Sequence, residues 1–116
     1  MTSSATVHEL EDLRKSGQAF LFEGDRHGDG LASSFFYVDA KPGGVVGLHT
    51  HPYAEVFLIQ EGEAEFRVGD DTVAARAGQV LVVPPETPHG FSNAGAGPLR
   101  VFSVHPSGTV QQENLE

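Results

Sequence analysis

Short apolar segments separated by turn residues make up most of the chain after residue 18. These segments are rich in Val, Phe, Leu and Ile, and Gly and Pro, 14 and 7 in number, fall mainly between them. β-Branched and aromatic residues favour strands, and Gly and Pro interrupt them. We therefore predict strands over residues 19–23, 33–39, 45–51, 55–60, 64–68, 72–75, 79–83, 89–93 and 99–105. Many short strands with almost no helix indicate an all-β sandwich or barrel.

The alternation within single strands indicates which side chains face the interior. Leu99, Val101 and Ser103 share one face of the last predicted strand, because strand side chains alternate in direction. Residues 56–59 are apolar on both faces, which is typical of a strand that is covered on both sides. We predict that its outer face meets another layer or a second subunit, which favours a homodimer. For residues 35–38, one arrangement has the odd-numbered side chains lining the cavity and the even-numbered ones facing the other sheet surface or a partner, but the register stays open.

The segments that flank the predicted strands are polar. A chain of 116 residues is long enough for one core and too short for two. We predict an N-terminal lead-in over residues 1–18, a barrel over residues 19–105 and a polar C-terminal tail over residues 106–116 that lies on the surface. Within the lead-in, residues 9–15 fit either a turn or two of helix or an irregular cover.

Charge and composition exclude several classes of protein. The chain has 7 basic and 16 acidic residues, a formal net charge of −9, and no cysteine. Nucleic acids and anionic membrane surfaces require clustered Lys and Arg, so neither is an expected partner. The polar N-terminus is unlike a secretory signal, and no apolar run approaches a membrane span. We expect a cytoplasmic protein, and any metal must be held by nitrogen and oxygen ligands.

Three side chains of metal-ligating type lie within seven residues, at His49, His51 and Glu55. His49 and His51 share a strand face, and a turn at Pro52 brings Glu55 beside them on the neighbouring strand. His89 would complete a set of three nitrogens and one oxygen if its strand faces inward nearby. Such a set suits divalent Fe, Mn, Co, Ni, Cu or Zn. The alternative is that these histidines are buried polar residues with a structural role.

A longer pattern around these residues resembles the first motif of the cupin superfamily. That motif joins a Gly, a His-X-His pair, a Glu and a second Gly. This sequence matches it, with every spacing met, at Gly43, His49, His51, Glu55 and Gly62.

A second pattern resembles the family's second motif, which joins a Gly, a Pro-X-Gly turn, a His and an Asn. The matching residues are Gly78, Pro84, His89 and Asn93. Glu86 stands where the motif has Gly, a residue that adopts left-handed backbone conformations most easily. The departure affects the expected shape of this loop and not the ligand set.

The resemblance covers most of the chain and implies a double-stranded β-helix, or jelly-roll, cupin barrel. It also implies a site for one divalent transition metal near one mouth of the barrel, commonly in a homodimer. By position in the motifs, the implied ligands are His49, His51, Glu55 and His89. Two motifs with matched spacing are specific for the fold, but they do not specify an activity because one fold hosts many chemistries.

Two kinds of function fit these residues. One is a metalloenzyme that acts on a small oxygen-rich molecule by dioxygenase, isomerase, decarboxylase or lyase chemistry, with the metal as Lewis acid or O₂ activator. The other is a non-catalytic module that binds a sugar or another small molecule. We favour the enzyme, with Tyr53 at the rim and His105 in the cavity as candidate catalytic residues. The alternative for Tyr53 is that it packs the turn.

Overall fold

The computed structural model describes residues 5–116, so the first four positions of the predicted lead-in lie outside the described residues. Within residues 5–116, ten strands and two short helical turns make up the regular structure. The helical turns are a 3₁₀ turn at Leu10–Leu13 and α1 at Gly24–His27. The strands are β1 Ala19–Glu23, β2 Ser34–Ala40, β3 Val45–Thr50, β4 Glu55–Glu61, β5 Glu63–Val68, β6 Asp71–Arg76, β7 Val80–Val83, β8 His89–Asn93, β9 Leu99–His105 and β10 Glu113–Asn114. The all-β prediction is confirmed.

The strands form two antiparallel five-stranded sheets. One has the order β1-β2-β9-β4-β7 and the other β10-β3-β8-β5-β6. Consecutive strands repeatedly cross from one sheet to the other, as they do in a double-stranded β-helix. The predicted jelly-roll architecture is therefore confirmed. Among residues 5–116 no helix is long and apolar enough to cross a membrane.

The inward faces of the two sheets enclose one apolar core. Strand alternation places Phe57, Ile59, Phe66, Leu99 and Val101 inside, and each is at most 2% exposed. Full burial of side chains of this size contributes about 1.5–3 kcal/mol each, so this core is the main source of stability. The predicted inward face of the last strand is confirmed, because Ser103 is also buried.

The structure settles the register of the aromatic run in β2, and it is the reverse of the arrangement suggested from the sequence. Phe36 and Val38 line the interior cavity. Phe35 faces the other side of the sheet, where its ring stacks on that of Phe22 at 5.2 Å. On the outer face of β4, Val56 and Leu58 remain 40% and 39% exposed in the single chain.

A β-bulge in β3 determines which of its side chains face inward. Val46 pairs with Phe91 and His49 pairs with His89 on β8, so two residues of β3 oppose the single residue Gly90. A bulge of this kind reverses the direction of the following side chains. A Cβ atom at Gly90 would lie 2.6 Å from the Val46 carbonyl oxygen, so glycine permits this close approach.

The C-terminal segment over residues 106–116, predicted to be a surface tail, contributes strand β10. Glu113 pairs with Thr50 and Asn114 pairs with His49, which adds β10 to the edge of the second sheet. The Leu115 amide also donates to the Leu48 carbonyl over 2.8 Å. The C-terminal residues are therefore held against the strand that carries His49 and leads into His51.

Candidate metal centre

Four predicted ligand side chains converge at one end of the barrel interior. His49, His51, Glu55 and His89 are each at most 5% exposed. One potential ligand atom from each lies within 4.8 Å of those of the others. A group this compact and this buried is consistent with one metal ion, and its chemistry of three nitrogens and one oxygen leaves the identity of the metal open.

Strand geometry explains why these four residues meet. Glu55 opens β4 and His89 opens β8, while His49 lies near the end of β3 and His51 follows it. Continued alternation along β4 and β8 leads from the apolar core to these polar side chains at the strand ends. The bulge in β3 keeps His49 opposite His89, with ring centroids 4.3 Å apart.

Backbone carbonyls fix the orientation of all three histidine rings. The Nδ1 atoms of His49, His51 and His89 lie 2.7, 2.8 and 2.8 Å from carbonyl oxygens. These oxygens belong to Gly47, Gln111 and Thr87 respectively. A carbonyl oxygen only accepts, so each Nδ1 carries the proton and donates it. The Nε2 lone pairs are thereby left for a metal, which is the usual arrangement around ligating histidines.

Glu55 lies at the centre of the cluster. Its Oε1 is 3.0 Å from Nε2 of His51 and 3.0 Å from Nε2 of His89. Burial raises the pKa of the Glu55 carboxyl, but the Nε2 atoms of His105, His51 and His89 beside it outweigh burial and hold that pKa well below its usual range. The carboxylate is therefore ionised, as a metal ligand must be.

The contacts of the histidine nitrogens indicate whether the cluster is suited to bind a cation. His51 and His89 both donate through Nδ1 to a carbonyl, and both present Nε2 to a carboxylate oxygen, which also only accepts. Each ring therefore needs either a second proton or a cation between Nε2 and Oε1. Nε2 of His51 is fully buried and has no aligned hydrogen bond despite the 3.0 Å separation. An unpartnered buried nitrogen facing a carboxylate is what a metal ion would satisfy, so the residues fit the group.

Burial also controls the protonation of His49. Desolvation lowers the pKa of His49 to about 4, and the neighbouring His89 and His51 add to this effect. The backbone carbonyl of Gly47 and the carboxylate of Glu55 oppose it to a smaller extent. Its ring is therefore neutral near pH 7 and can act as a ligand without releasing a proton.

The structure brings both candidate catalytic residues beside the cluster. Tyr53 is half-buried, and its hydroxyl lies 2.7 Å from Nδ1 of His105. His105 is fully buried, and its Nε2 lies 2.9 Å from Oε2 of Glu55. Burial raises the pKa of Tyr53, so its hydroxyl remains a donor near neutral pH. Their catalytic role stays a prediction.

A cavity of about 290 Å³ leads to the cluster. Its walls are mostly apolar, and Glu55, His49 and His105 supply polar groups at its inner end. Three residues from the predicted lead-in and one from the C-terminal segment also line it, namely Lys15, Ser16, Gln18 and Gln112. A small apolar space with a few convergent polar groups is typical of a small-molecule site.

Sequence reasoning missed the residues that support the site through their backbone. Gln111 accepts from His51 through its carbonyl and donates from its amide to the Tyr53 hydroxyl over 3.2 Å. Thr87 and Gly47 accept from the other two rings in the same way. A backbone carbonyl carries no side-chain signature, so no pattern of residue types could have identified these contacts.

Two antiparallel sheets that enclose a buried group of three histidines and a glutamate define a jelly-roll barrel with a candidate metal site. The chain belongs to the cupin domain family, whose model matches residues 36–105. The resemblance noted in the sequence is therefore confirmed.

Several proteins of known sequence are similar to this chain. The polyketide synthase CurC of Streptomyces cyaneus is 37% identical over 68 residues, which cover 57% of this chain and 44% of that protein. The auxin-binding protein ABP19a of Prunus persica is 36% identical over 80 residues, or 64% and 38% of the two chains. Protein SchB of Streptomyces halstedii is 35% identical over 80 residues, or 66% and 58%. The chain thus spans between 38% and 58% of the length of these relatives.

Solved structures support the fold. A mutant of the Bacillus subtilis oxalate decarboxylase OxdC superimposes with a TM-score of 0.80 at 22% identity, covering 91% of this chain and 31% of that chain. A double-stranded β-helix protein from Klebsiella pneumoniae superimposes with a TM-score of 0.76 at 23% identity, covering 97% and 99%. At these identities the likeness shows the fold alone.

Proposed function

We propose that His49, His51, Glu55 and His89 hold one divalent transition metal and that the protein is a metal-dependent enzyme acting on a small oxygen-rich molecule. The observation that carries this proposal is the orientation of the three buried rings. Each places Nδ1 against a backbone carbonyl and leaves Nε2 available, and Nε2 of His51 and His89 faces Glu55. A cluster that served only to pack the core would not need three rings oriented in the same way.

The chemistry of the site follows from its donor set. A divalent metal held by these four residues would retain coordination positions for substrate oxygens and supply Lewis acidity or O₂ activation. Dioxygenase, isomerase, decarboxylase and lyase reactions all use one of these two capacities. The protein's own contribution is to orient the ligands, to keep Glu55 ionised and to exclude bulk water from the inner end of the cavity.

The cavity supports a substrate with an apolar body. Phe36, Val38, Phe57 and Phe91 form much of its wall, and a strongly hydrated small polyanion would lose its water there without replacement contacts. Lys15 is the one lysine or arginine among the described residues that line the cavity. A hydroxy acid or keto acid with an apolar portion combines a chelating oxygen pair with an anionic group that Lys15 can meet.

A second candidate function is a non-catalytic small-molecule-binding module. Two relatives are named auxin-binding proteins, and the apolar cavity is compatible with binding alone. The two functions differ in their products. A catalyst converts substrate with multiple turnovers, whereas a binding module saturates at one equivalent and releases the ligand unchanged.

Metal content is the experiment that tests the proposal. The protein is purified without a histidine tag, and bound metals are measured by elemental mass spectrometry beside His49→Ala and a control, His27→Ala. His27 is the last residue of α1 and lies outside the cluster. We expect about one equivalent of metal in the wild type and the control and none in His49→Ala. Equal metal content in all three proteins, or failure of the wild type to bind any added divalent metal, would contradict the proposal.

Turnover is tested after metal binding has been established. Candidate hydroxy acids and keto acids are incubated with the loaded protein, with and without oxygen, and products are measured by mass spectrometry. Glu55→Gln should abolish turnover and keep the fold, because apolar burial holds the barrel together. Stoichiometric binding without product would favour the binding module.

A further inference from the structure

The two oxygens of the Glu55 carboxylate face different partners. Oε1 is 3.0 Å from Nε2 of both His51 and His89, so it points into the group of proposed ligands. Oε2 points the other way and lies 2.9 Å from Nε2 of His105. The carboxylate is therefore held at both ends, with one oxygen directed at the cluster and one directed at a residue outside the ligand motifs.

His105 differs from the three proposed ligands in the partner of its Nδ1 atom. The ligand rings donate Nδ1–H to carbonyls, but Nδ1 of His105 faces the Tyr53 hydroxyl at 2.7 Å. Because Nε2 of His105 faces a carboxylate oxygen, its proton belongs on Nε2. Nδ1 is then the acceptor, and the Tyr53 hydroxyl donates to it. A neutral His105 has a donor nitrogen for the carboxylate and an acceptor nitrogen for the hydroxyl, so it needs no cation, unlike His51 and His89.

Packing leaves His105 few alternatives. The ring is 1% exposed, and its centroid lies 5.4 Å from that of Phe36 and 4.6 Å from that of His51. Oε2 of Glu55 lies 2.9 Å from its Nε2, close but not aligned as a hydrogen bond among residues 5–116. Tyr53 is itself held, because its oxygen accepts from the Gln111 amide.

We infer that His105 is a positioning residue that holds Oε2 of Glu55, so that Glu55 offers only Oε1 to the metal, and that Tyr53 keeps His105 in the orientation this requires. The inference rests on the proposed metal site. As a consequence, the second carboxylate oxygen would not occupy a coordination position of the metal that substrate oxygens would need. His105 acts through Glu55 and need not touch the substrate.

The test uses three variants and two matched controls. His105→Phe removes the donor and keeps a ring, His105→Gln keeps an N–H donor of similar reach, and Tyr53→Phe removes only the hydroxyl. The controls make the same chemical changes away from the site, at His27→Phe and Tyr37→Phe. Each metal-free protein is first checked for folding by circular dichroism. Co(II) is then titrated, with affinity measured by calorimetry and the coordination of the ion followed by its visible absorption spectrum.

Residues that support metal ligands typically contribute about 10–100-fold in affinity. We expect a loss in that range and an altered Co(II) spectrum for His105→Phe, recovery of most of the affinity and of the spectrum in His105→Gln, and a smaller loss for Tyr53→Phe. The controls should match the wild type. If His105→Phe does not fold, the inference is tested by comparing the Co(II) affinity and spectrum of Tyr53→Phe and His105→Gln with those of the wild type.

Three results would overturn the inference. One is a folded His105→Phe with wild-type affinity and spectrum. Another is an equal loss in His105→Gln and His105→Phe, which would indicate a purely steric role. The third, if His105→Phe does not fold, is wild-type affinity and spectrum in Tyr53→Phe. A wild type that binds no Co(II) would instead contradict the proposed metal site itself, so the two failures are distinguishable.

Discussion

His51 donates its Nδ1–H to the backbone carbonyl of Gln111, over 2.8 Å and across 60 positions in the chain. The amide of Gln111 also donates to the Tyr53 hydroxyl. One peptide segment near the C-terminus therefore orients a proposed metal ligand and the residue that holds His105. The C-terminal segment belongs to the frame of the site, although it contributes no ligand side chain.

We predict that removing residues 111–116 lowers metal affinity by about 10–100-fold, because His51 loses the acceptor that fixes its ring. Co(II) or Mn(II) affinity is measured by calorimetry. The matched control removes only residues 113–116, which deletes β10 but keeps the Gln111 carbonyl. Equal losses in the two truncations would show that the strand pairing matters and the His51 contact does not.

Glu86 occupies a left-handed backbone conformation with φ of 62°. This conformation is unfavourable for a side chain with a Cβ atom, by about 1–2 kcal/mol, and it is easy for glycine. We therefore predict that Glu86→Gly raises the free energy of unfolding by about 1 kcal/mol, measured by urea denaturation. The control Asp70→Gly changes a turn residue without positive φ and should not raise the free energy of unfolding. A loss of stability in Glu86→Gly would mean that the Glu86 side chain makes a contribution larger than the relief of strain.

The stability of the metal-free protein should depend on pH through His49. The pKa of His49 is about 4 in the folded chain, below the value of roughly 6.5 for an unfolded histidine. Between these values the unfolded chain binds more protons, so stability falls as the pH falls from 6.5 to 4. The contribution of His49 is at most about 3 kcal/mol. It is measured as the difference in urea unfolding between the wild type and His49→Asn across this range, and a difference independent of pH would contradict the assignment.

Metal binding should stabilise the fold, because the site is assembled only in the folded chain. At a free metal concentration of about 100 times Kd, the expected gain is about 2.7 kcal/mol, which raises Tm by roughly 10 °C in a domain of this size. Excess chelator should reverse the shift. In Glu55→Gln the shift should be much smaller, and an equal shift in that variant would show that the metal binds elsewhere.

Four apolar side chains on the outer face of one sheet support the predicted homodimer. Val56 pairs with Val82 and Leu58 pairs with Val80 across β4 and β7, and these residues are 39–60% exposed in the single chain. We propose that a second copy of the chain covers them. Light scattering at tens of micromolar should give a dimer, Leu58→Glu combined with Val82→Glu should give a monomer, and Leu31→Lys elsewhere on the surface should leave the dimer intact. A monomeric wild type would contradict the proposed homodimer.

The strands and the part of the cluster formed by His49, His51 and Glu55 could be predicted because both depend on local patterns, whereas His89 was implied by the family resemblance. Short apolar runs between Gly and Pro define strands whatever their partners, and the spacing of His49, His51 and Glu55 brings them together through one strand and one turn. The buried face of β9 followed from simple alternation. These features need no knowledge of how distant segments meet.

Features that depend on long-range packing could not be predicted. The bulge opposite Gly90 interrupts the alternation of β3 without a distinctive residue pattern. The run in β2 has apolar or aromatic side chains on both faces, so its pattern does not indicate which face is buried. Gln111 supports the site through backbone atoms, which every residue type provides. Strand β10 is polar and only two residues long, so its pairing depends on where the chain passes and not on its composition.

Along β4 and β8 the inward positions change from apolar side chains in the core to Glu55 and His89 at the strand ends. Burying polar groups in this layer works against folding in the absence of a metal, since well-packed apolar residues of similar volume are often neutral or stabilising. A sequence optimised for folding alone would place Leu or Met at these positions. The apolar core therefore holds the barrel together, while the polar layer at the strand ends is available for chemistry. Substitutions confined to the polar layer could therefore alter the chemistry of the site while the apolar core and the fold stay the same.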